Sequence, residues 1–205
     1  KRLVERCLRE YRENFEGKPI VALNFSHHKL IYQTGDRNLY QQGFVDRRYR
    51  YALLQILAIA DDAWLDDLEE IAAAICDEFS WIWPAHSLAD REKGEFDYTV
   101  VDLYSAQTAF YLSETVRIFG EKLSPDLRYR IRTCVWEKVL RHFENRTFFY
   151  ETKVSNNWAT VCGGSIGMAY LLLFPERFPL VRERLFDLCR DYLNGIGDDG
   201  FCSEG

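Results

Sequence analysis

Apolar residues recur at helical spacing through most of this 205-residue chain, and short connections separate the helical stretches. Between residues 127 and 143 every fourth residue is apolar, which places one apolar stripe on a single helix face. The stripe is formed by Leu127, Ile131, Val135, Val139 and Phe143. Long helices joined by short loops form antiparallel hairpins. The spacing predicts three hairpins, beginning near residues 46, 102 and 157, and therefore an all-α fold with its loops gathered at one end.

The N-terminal part of the chain has a weaker pattern. Residues 1–16 show charged and apolar residues at helical spacing and are predicted to form one helix. Residues 18–45 are predicted to be extended or looped, with residues 19–23 able to form a strand. His27 and His28 fall in this segment, without an acidic residue or cysteine at ligand spacing beside them. We interpret them as loop residues rather than as a metal site.

Two helices and a long loop follow. Asp46 is predicted to cap a helix that runs to about Ala60, and a second helix continues through Trp64 to Phe79. The inward face of the first helix is expected to consist of Tyr49, Leu53, Ile56 and Ala60. A loop as long as residues 80–101 often has a function in a compact domain. It carries Trp81, Trp83, His86 and Tyr98.

Turn residues mark the remaining helices. A helix is predicted over residues 102–119, with Gly120 as its C-terminal cap. Ser124 and Pro125 then stand at the cap and first position of the next helix. The last two helices begin at residue 157 and beyond Pro175, so residues 1–205 are predicted to form a single helical domain.

Composition limits the classes of partner. The net charge is −6 and 47% of the residues are hydrophobic, which is ordinary for a globular domain. No apolar run approaches the ~20 residues that cross a bilayer, so no membrane partner is predicted. The acidic balance argues against nucleic acid and against a polyanion bound by charge alone, although a local basic cleft can coexist with it. The high aromatic content, 15%, suits sugar stacking and a thick helical core equally.

The six cysteines show no Cys-x-x-Cys spacing, and most fall at apolar positions of predicted helices. We therefore expect reduced thiols rather than a disulfide framework, and we predict no metal ion or cofactor. Reduced thiols favour a cytoplasmic location slightly, but no signal peptide is visible and the chain starts at Lys1, so localisation stays open.

Residues 155–168 carry the most informative local pattern. Asn156 and Asn157 stand where a polar segment gives way to an apolar helix, which then contains Gly163, Gly164 and Gly167. Glycine costs a helix interior about 1 kcal/mol relative to alanine, so three of them indicate close approach of another backbone or of a ligand. We interpret this stretch as a polar site at a buried helix start. A plain N-terminal cap formed by an asparagine is the alternative.

Four motifs in order resemble the heparinase II/III-like family of polysaccharide lyases. They are Trp-Pro-Ala-His at 83–86, Asp-Leu-Tyr-Ser-Ala-Gln-Thr-Ala at 102–109, Asn-Asn-Trp at 156–158 and Asp-Gly-Phe-Cys-Ser-Glu-Gly at 199–205. The resemblance extends from about Trp81 to the last residue. It implies the helical part of an α/α toroid and β-elimination on an acidic, uronic-acid-containing polysaccharide such as a glycosaminoglycan or alginate.

The resemblance also implies roles for individual residues. Asn157, with Asn156 beside it, would neutralise the uronate carboxylate, because uncharged donors at a helix N-terminus stabilise an enolate-like state. His86 would be a proton carrier, since histidine ordinarily titrates near neutral pH, although a lone loop histidine is often structural. The residues expected to contact substrate are Trp83, Trp158 and Glu204. Trp158 stands where some relatives have a histidine, so that histidine's role is absent here.

In the family, the tyrosine that acts as base and acid follows the Glu-Gly step, and a β-sandwich completes the cleft. Residues 1–205 are therefore expected to be an incomplete toroid with exposed apolar flanks and with little activity of their own. Two other classes remain open. A glycoside hydrolase of the α/α-toroid type would use two carboxylates, with Asp97, Asp102 and Glu204 available. A non-catalytic helical module would bind glycan or protein through its aromatic loops. The sequence does not determine the oligomeric state.

Overall fold

A computed structural model describes residues 1–90, 95–152 and 157–201. The regular structure of these residues is almost entirely helical, so the all-α expectation is confirmed. The α-helices in this part are α1 (Arg2–Asn14), α2 (Phe25–Gln33), α3 (Asn38–Ala60), α4 (Leu65–Cys76), α5 (Leu103–Phe119), α6 (Pro125–Val135), α7 (Arg141–Asn145), α8 (Asn157–Leu173) and α9 (Phe178–Asn194). One short antiparallel ladder interrupts the long loop, where β1 (Leu88–Asp90) pairs with β2 (Glu95–Phe96).

Each predicted hairpin is present as a pair of neighbouring helices. α3 packs against α4, α5 against α6, and α8 against α9. The first helices of the hairpins also contact one another in sequence order, because α5 touches α3 and packs extensively on α8, while α4 packs on α6. Side chains from the loop after α4 contact the starts of both α5 and α8. The loop after α4 and the starts of α5 and α8 therefore meet at one end of the helices, as predicted.

The stripe between residues 127 and 143 lies on one nearly continuous helical segment. α6 passes into a π-helical turn at Trp136–Leu140 and then into α7. All five predicted stripe residues are buried, which confirms the apolar face. The segment packs on both α4 and α5, so this stripe joins the first two hairpins.

The boundaries of α5 follow from local signals and match the prediction. Asp102 and Ser105 form a reciprocal capping box, in which each side chain accepts the backbone N–H of the other. Gly120 ends the helix with φ of +54°, a conformation that glycine adopts without steric cost.

The prediction that Asp46 caps α3 is wrong. α3 begins two turns earlier, at Asn38, and Asp46 lies inside the helix. The carboxylate of Asp36 accepts the Asn38 N–H at 2.9 Å and satisfies a donor that the helix start leaves open. The added turns are retained because Tyr40 and Phe44 bury their rings against neighbouring segments.

The predicted inward face of α3 is wrong in part. Leu53 is buried and Ile56 is half-buried, but Tyr49 and Ala60 are exposed. The buried side of this half of the helix is formed by Tyr51, Leu53, Leu54, Leu57 and Ala58. Because α3 packs on α1, α4 and α5, its buried surface is wider than a single stripe.

Residues 18–45 are more helical than predicted. His27 and His28 lie in α2 rather than in a loop. Residues 19–23 are described and form no strand. Leu23 packs instead on the backbone of α3, where a Cβ added to Gly43 would lie 3.1 Å from its Cδ2. The segment therefore buries its side chains against a helix, which requires no strand partner.

Two expectations drawn from composition agree with the structure. The cysteines of the described part are all free thiols, namely Cys7, Cys76, Cys134, Cys162 and Cys189, and Cys202 lies outside it. Among the described residues, no helix is both long enough and apolar enough to cross a membrane. Apolar side chains are exposed on α8 and α9, including Leu171, Leu180 and Phe186.

Candidate functional site

The carboxylate of Asp102 lies at the centre of the candidate site. Its Oδ1 accepts the Ser105 N–H at 2.8 Å, which is the capping bond of α5. Its Oδ2 accepts the backbone N–H of Trp83 at 2.9 Å and lies 2.7 Å from Nδ1 of His86. The residue is completely buried, so these three N–H groups replace water as its partners.

This carboxylate fixes the orientation of the His86 ring. An ionised carboxylate can only accept hydrogen bonds, so the proton of a neutral His86 lies on Nδ1 and Nε2 keeps its lone pair. A tight turn at Pro84–His86 holds the backbone, with the His86 N–H donated to the Trp83 carbonyl at 2.7 Å. The His86 side chain is about one-quarter exposed, at 26%. An oriented basic nitrogen is therefore within reach of a ligand.

The start of α8 lies against this histidine through Trp158. The ring centroids of Trp158 and His86 are 4.6 Å apart, and Phe149 packs edge-on against Trp158 at 5.0 Å. Asn157 is the first residue of α8 and is exposed. A helix start presents backbone N–H groups and the positive end of the helix dipole. The site thus combines a basic histidine with a helix end that favours negative charge.

Two stacked rings support the other side of the turn. Trp83 and Tyr104 stack with centroids 4.4 Å apart and planes 16° from parallel. Phe44 of α3 packs edge-on against both rings. Tyr104 also lies 6.5 Å from His86 between ring centroids. We call Trp83, His86, Asp102 and Trp158 the histidine site.

The glycines of α8 have different surroundings. A Cβ on Gly163 would lie 3.2 Å from Cβ of Leu188, so this glycine lets α9 approach closely, as predicted. A Cβ on Gly167 would make ordinary contact with Leu185 at 3.6 Å. A Cβ on Gly164 would meet nothing within 4 Å, and this residue is exposed. Packing between helices therefore accounts for Gly163 and leaves Gly164 on an open face.

The structure brings together three of the predicted site residues, Trp83, His86 and Trp158, with Asn157 next to them in the chain. Asn156 and Glu204 lie outside the described residues. The aromatic loop is divided, because Tyr98 packs on Phe79 and Phe96 rather than on the histidine.

Sequence reasoning missed the part that Asp102 and Tyr104 play in this site. Asp102 was noted as the first residue of the 102–109 motif and as a carboxylate that a hydrolase could use, but it was given no contact with His86. The capping box that Asp102 forms with Ser105 is a local pattern that the sequence contains. The bond of Asp102 to His86, 16 residues away, depends on the path of the loop and has no signature in spacing.

Asp97 has a different environment. Its carboxylate accepts hydrogen bonds from Thr99 and from Arg146, the latter at 2.7 Å. Burial acts to raise the pKa of Asp97, but these hydrogen bonds outweigh it and lower the pKa below its ordinary value. Asp97 therefore stays ionised and paired at neutral pH.

No protein-family model matches the chain, and no curated protein matches it at a significant level. Within the described residues, no group of three or more histidine, cysteine or acidic side chains is placed to hold a metal ion.

Proposed function

We propose that the chain forms the helical part of a lyase that cleaves uronic-acid-containing polysaccharide by β-elimination. The observation that carries this proposal is the contact of three motifs at one point. The histidine of residues 83–86 bonds the aspartate that begins residues 102–109, and the tryptophan that follows Asn157 covers that histidine. Residues far apart in sequence, all belonging to motifs of the same resemblance, thus share one site.

The reaction needs three functions. The proton α to the uronate carboxylate must be made removable, a base must take it, and the leaving oxygen must receive a proton as the carbon–oxygen bond breaks and the double bond forms. Donors beside the carboxylate stabilise the enolate-like state more than the ground state. Asn157 at the start of α8 stands where its amide and the helix dipole would perform this first function.

His86 suits proton transfer. Asp102 binds Nδ1, so Nε2 of the neutral ring is the nitrogen that can accept a proton, and the buried carboxylate stabilises the imidazolium that results. Trp158 packs against this histidine, and Trp83 stacks on the neighbouring Tyr104, so aromatic surfaces of the kind that sugars stack on lie at the site. The tyrosine that acts as base and acid in the family stays a prediction.

We also infer that the hairpins belong to an α/α toroid. The order of contacts supports this, because α3, α5 and α8 neighbour one another in turn and each hairpin's second helix packs on its own first helix. In such an array the loops at one end would surround a common cleft, and the histidine site lies where the loop after α4 meets the starts of α5 and α8.

The environments of the carboxylates favour the lyase over a glycoside hydrolase. A hydrolase needs two carboxyl groups flanking the bond, one of them with a raised pKa. Asp102 is completely buried behind His86, and the pKa of Asp97 is lowered. Neither carboxyl group is therefore suited to act as the general acid, the carboxyl group whose pKa must be raised.

The test compares residues 1–205 with the protein encoded by the full reading frame. Both are assayed for unsaturated uronate, by its ultraviolet absorbance, on a panel of acidic polysaccharides. We expect release by the longer protein, and loss of at least a hundredfold in its His86→Ala and Asn157→Ala variants, as for removal of a catalytic acid–base group or an oxyanion donor. His27→Gln and Asn14→Ala are the matched controls and should retain activity.

Three outcomes contradict the proposal in different ways. New reducing ends without unsaturated product would indicate the hydrolase. Glycan binding without cleavage by the longer protein would indicate the binding module. Full activity in a well-folded His86→Ala or Asn157→Ala variant would remove that residue from the mechanism.

A further inference from the structure

A separate cavity of about 510 Å³ opens where α2, the first turns of α3 and the residues after α4 meet. Its lining includes His28 of α2, Tyr40 and Arg47 of α3, and Glu78 beyond the end of α4. No lining residue belongs to the histidine site. We call it the arginine cavity.

The floor of the cavity carries an excess of positive charge. The side chain of Glu78 is fully buried and binds two guanidinium groups, Arg48 at 2.7 Å and Arg47 at 3.4 Å. One carboxylate shared by two arginines leaves one positive charge uncompensated. Asp77, which also lines the cavity, is ion-paired with Arg130.

A further cation lies beside this floor. The ammonium of Lys138 is directed at the backbone carbonyls of Glu78 and Phe79, which carry no formal charge. The chain as a whole has a net charge of −6, so this corner is positive against the overall balance. Partly buried charges of one sign focus the local field and attract a ligand of the other sign.

The walls of the cavity are aromatic and uncharged. Phe25 and Phe79 stand at its edge and are 69% and 76% exposed, which is unusual for phenylalanine. Burial lowers the pKa of His28 and raises that of Tyr40 to about 12, so both side chains are neutral near pH 7. His28 is nine-tenths buried, and its Nδ1 has no hydrogen-bond partner among the described residues.

We propose that the arginine cavity binds a small organic carboxylate that carries a ring able to stack on an aromatic side chain. The aromatic walls supply surfaces on which a ring can stack, and the shared arginines supply the charge that a carboxylate neutralises. A cation would meet the uncompensated positive charge, and a neutral ring would leave that charge unpaired. An aromatic acid and a sugar acid share this chemistry, and the experiment distinguishes them. The proposal does not depend on lyase activity.

The test titrates residues 1–205 with two acids and their neutral counterparts, followed by ligand-observed NMR. The acids are benzoate and D-glucuronate, and the counterparts are benzyl alcohol and methyl D-glucoside. For probes this small we expect a Kd in the millimolar range for at least one acid. Its neutral counterpart should bind about tenfold more weakly, because it lacks the charged hydrogen bonds. The acid that binds more tightly identifies the source of the ligand.

Variants locate the site. Phe25→Ala and Phe79→Ala remove exposed rings, so folding should be unaffected and acid binding should weaken about three- to tenfold. Phe201→Ala, which removes an equally exposed ring outside the cavity, is the control and should change nothing. Arg47→Gln should abolish the preference for the acid over its neutral counterpart.

If Arg47→Gln does not fold, the parent protein is measured with added salt instead. Screening should weaken binding of the acid and leave binding of the neutral probe unchanged. The proposal is overturned if neither acid binds at millimolar concentration. It is also overturned if the neutral probes bind as tightly as the acids, or if both phenylalanine variants bind like the parent protein.

Discussion

The histidine site and the arginine cavity contain the same two kinds of group, a fully buried carboxylate and a histidine, in different arrangements. In the histidine site the two are bonded, with His86 Nδ1 at 2.7 Å from Asp102. In the arginine cavity Glu78 binds two arginines, and Nδ1 of His28 has no partner within the described part of the chain.

The difference separates a fixed charge from a group that can exchange protons. Arginine remains protonated throughout the accessible pH range, so the cluster around Glu78 keeps its charge and serves binding and stability. Histidine gains and loses a proton near neutral pH, and a carboxylate on Nδ1 leaves Nε2 available to do so. The same carboxylate chemistry therefore supports proton transfer only where its partner is His86.

The largest effect on stability is expected in the arginine cavity. Glu78→Gln keeps the shape but leaves two guanidinium groups, each largely buried, without a counter-charge. Breaking a buried ion pair in this way should lower the free energy of unfolding by about 3 kcal/mol. Urea denaturation measures the change. The control, Glu183→Gln, replaces a side chain that is 72% exposed, and should stay within about 0.5 kcal/mol of the parent protein.

A smaller loss is expected from Asp102→Asn. The amide of asparagine has one acceptor oxygen for three N–H donors, so the cap of α5 and the bond to His86 cannot both be kept. The free energy of unfolding should fall by about 2 kcal/mol, less than for Glu78→Gln, because the change removes a helix cap and a buried hydrogen bond rather than the shared partner of two guanidinium groups.

Nitrogen NMR of the histidines tests the same variant at the site itself. In the parent protein neutral His86 should carry its proton on Nδ1, and the tautomer should change in Asp102→Asn. A loss in Asp102→Asn as large as that in Glu78→Gln would mean that His86 is held charged. The contrast between the two regions would then disappear.

Only part of the structure that forms these two sites could be predicted from the sequence. The start of α5 was predicted to within one residue, and the structure shows that Asp102 and Ser105 fix it by a cap that spans only four residues. The start of α3 was missed because it is retained by burial of Tyr40 and Phe44 against other segments, which a helical period within residues 38–45 does not reveal. Local signals predict local structure, and α3 is stabilised by distant contacts.

The sites show the same limit more sharply. The motifs of the resemblance include both His86 and Asp102 but did not predict their contact, because it spans 16 residues of largely irregular chain. The pairing of Glu78 with Arg47 and Arg48 spans about 30 residues and was not foreseen at all. His28 was interpreted as a loop residue, and its burial depends on rings from Tyr40 and Phe96.

The pH dependence of stability tests the arginine cavity through His28, with a smaller expected effect. Burial lowers the pKa of His28, so the unfolded chain binds its proton more readily than the folded protein does. Stability from this group is complete above its unfolded pKa of about 6.5. It is lost as pH falls below that value toward the folded pKa, with a slope of at most about 1.4 kcal/mol per pH unit.

Unfolding of the parent protein and of His28→Phe between pH 7 and pH 5 isolates this contribution. Burial also lowers the pKa of His142, so both proteins should lose stability on acidification. His28→Phe should lose less, because it removes one of the two groups. Equal slopes would mean that His28 finds a proton partner in the folded state, and the cavity histidine would then resemble His86 more than we infer.

The smallest effects concern α8, which carries Asn157 and Trp158 into the histidine site. Gly164→Ala meets open space and should stabilise the helix by about 0.5–1 kcal/mol. Gly163→Ala is its matched control, since its Cβ would lie 3.2 Å from Cβ of Leu188 and should destabilise by about 1 kcal/mol through overpacking. Thermal unfolding of both variants measures the difference. An equal gain in stability in both would mean that α9 moves away from the added methyl group at little cost.

The activity of the protein encoded by the full reading frame tests whether Gly164 has a role in substrate binding. Gly164 follows Asn157 by seven residues, about two helical turns, so both lie on the same exposed side of α8. If a polysaccharide extends along that side from the histidine site, Gly164→Ala should raise KM while stability increases. An unchanged KM in the more stable variant would confine the substrate to the helix start, and Gly164 would then have no role in binding.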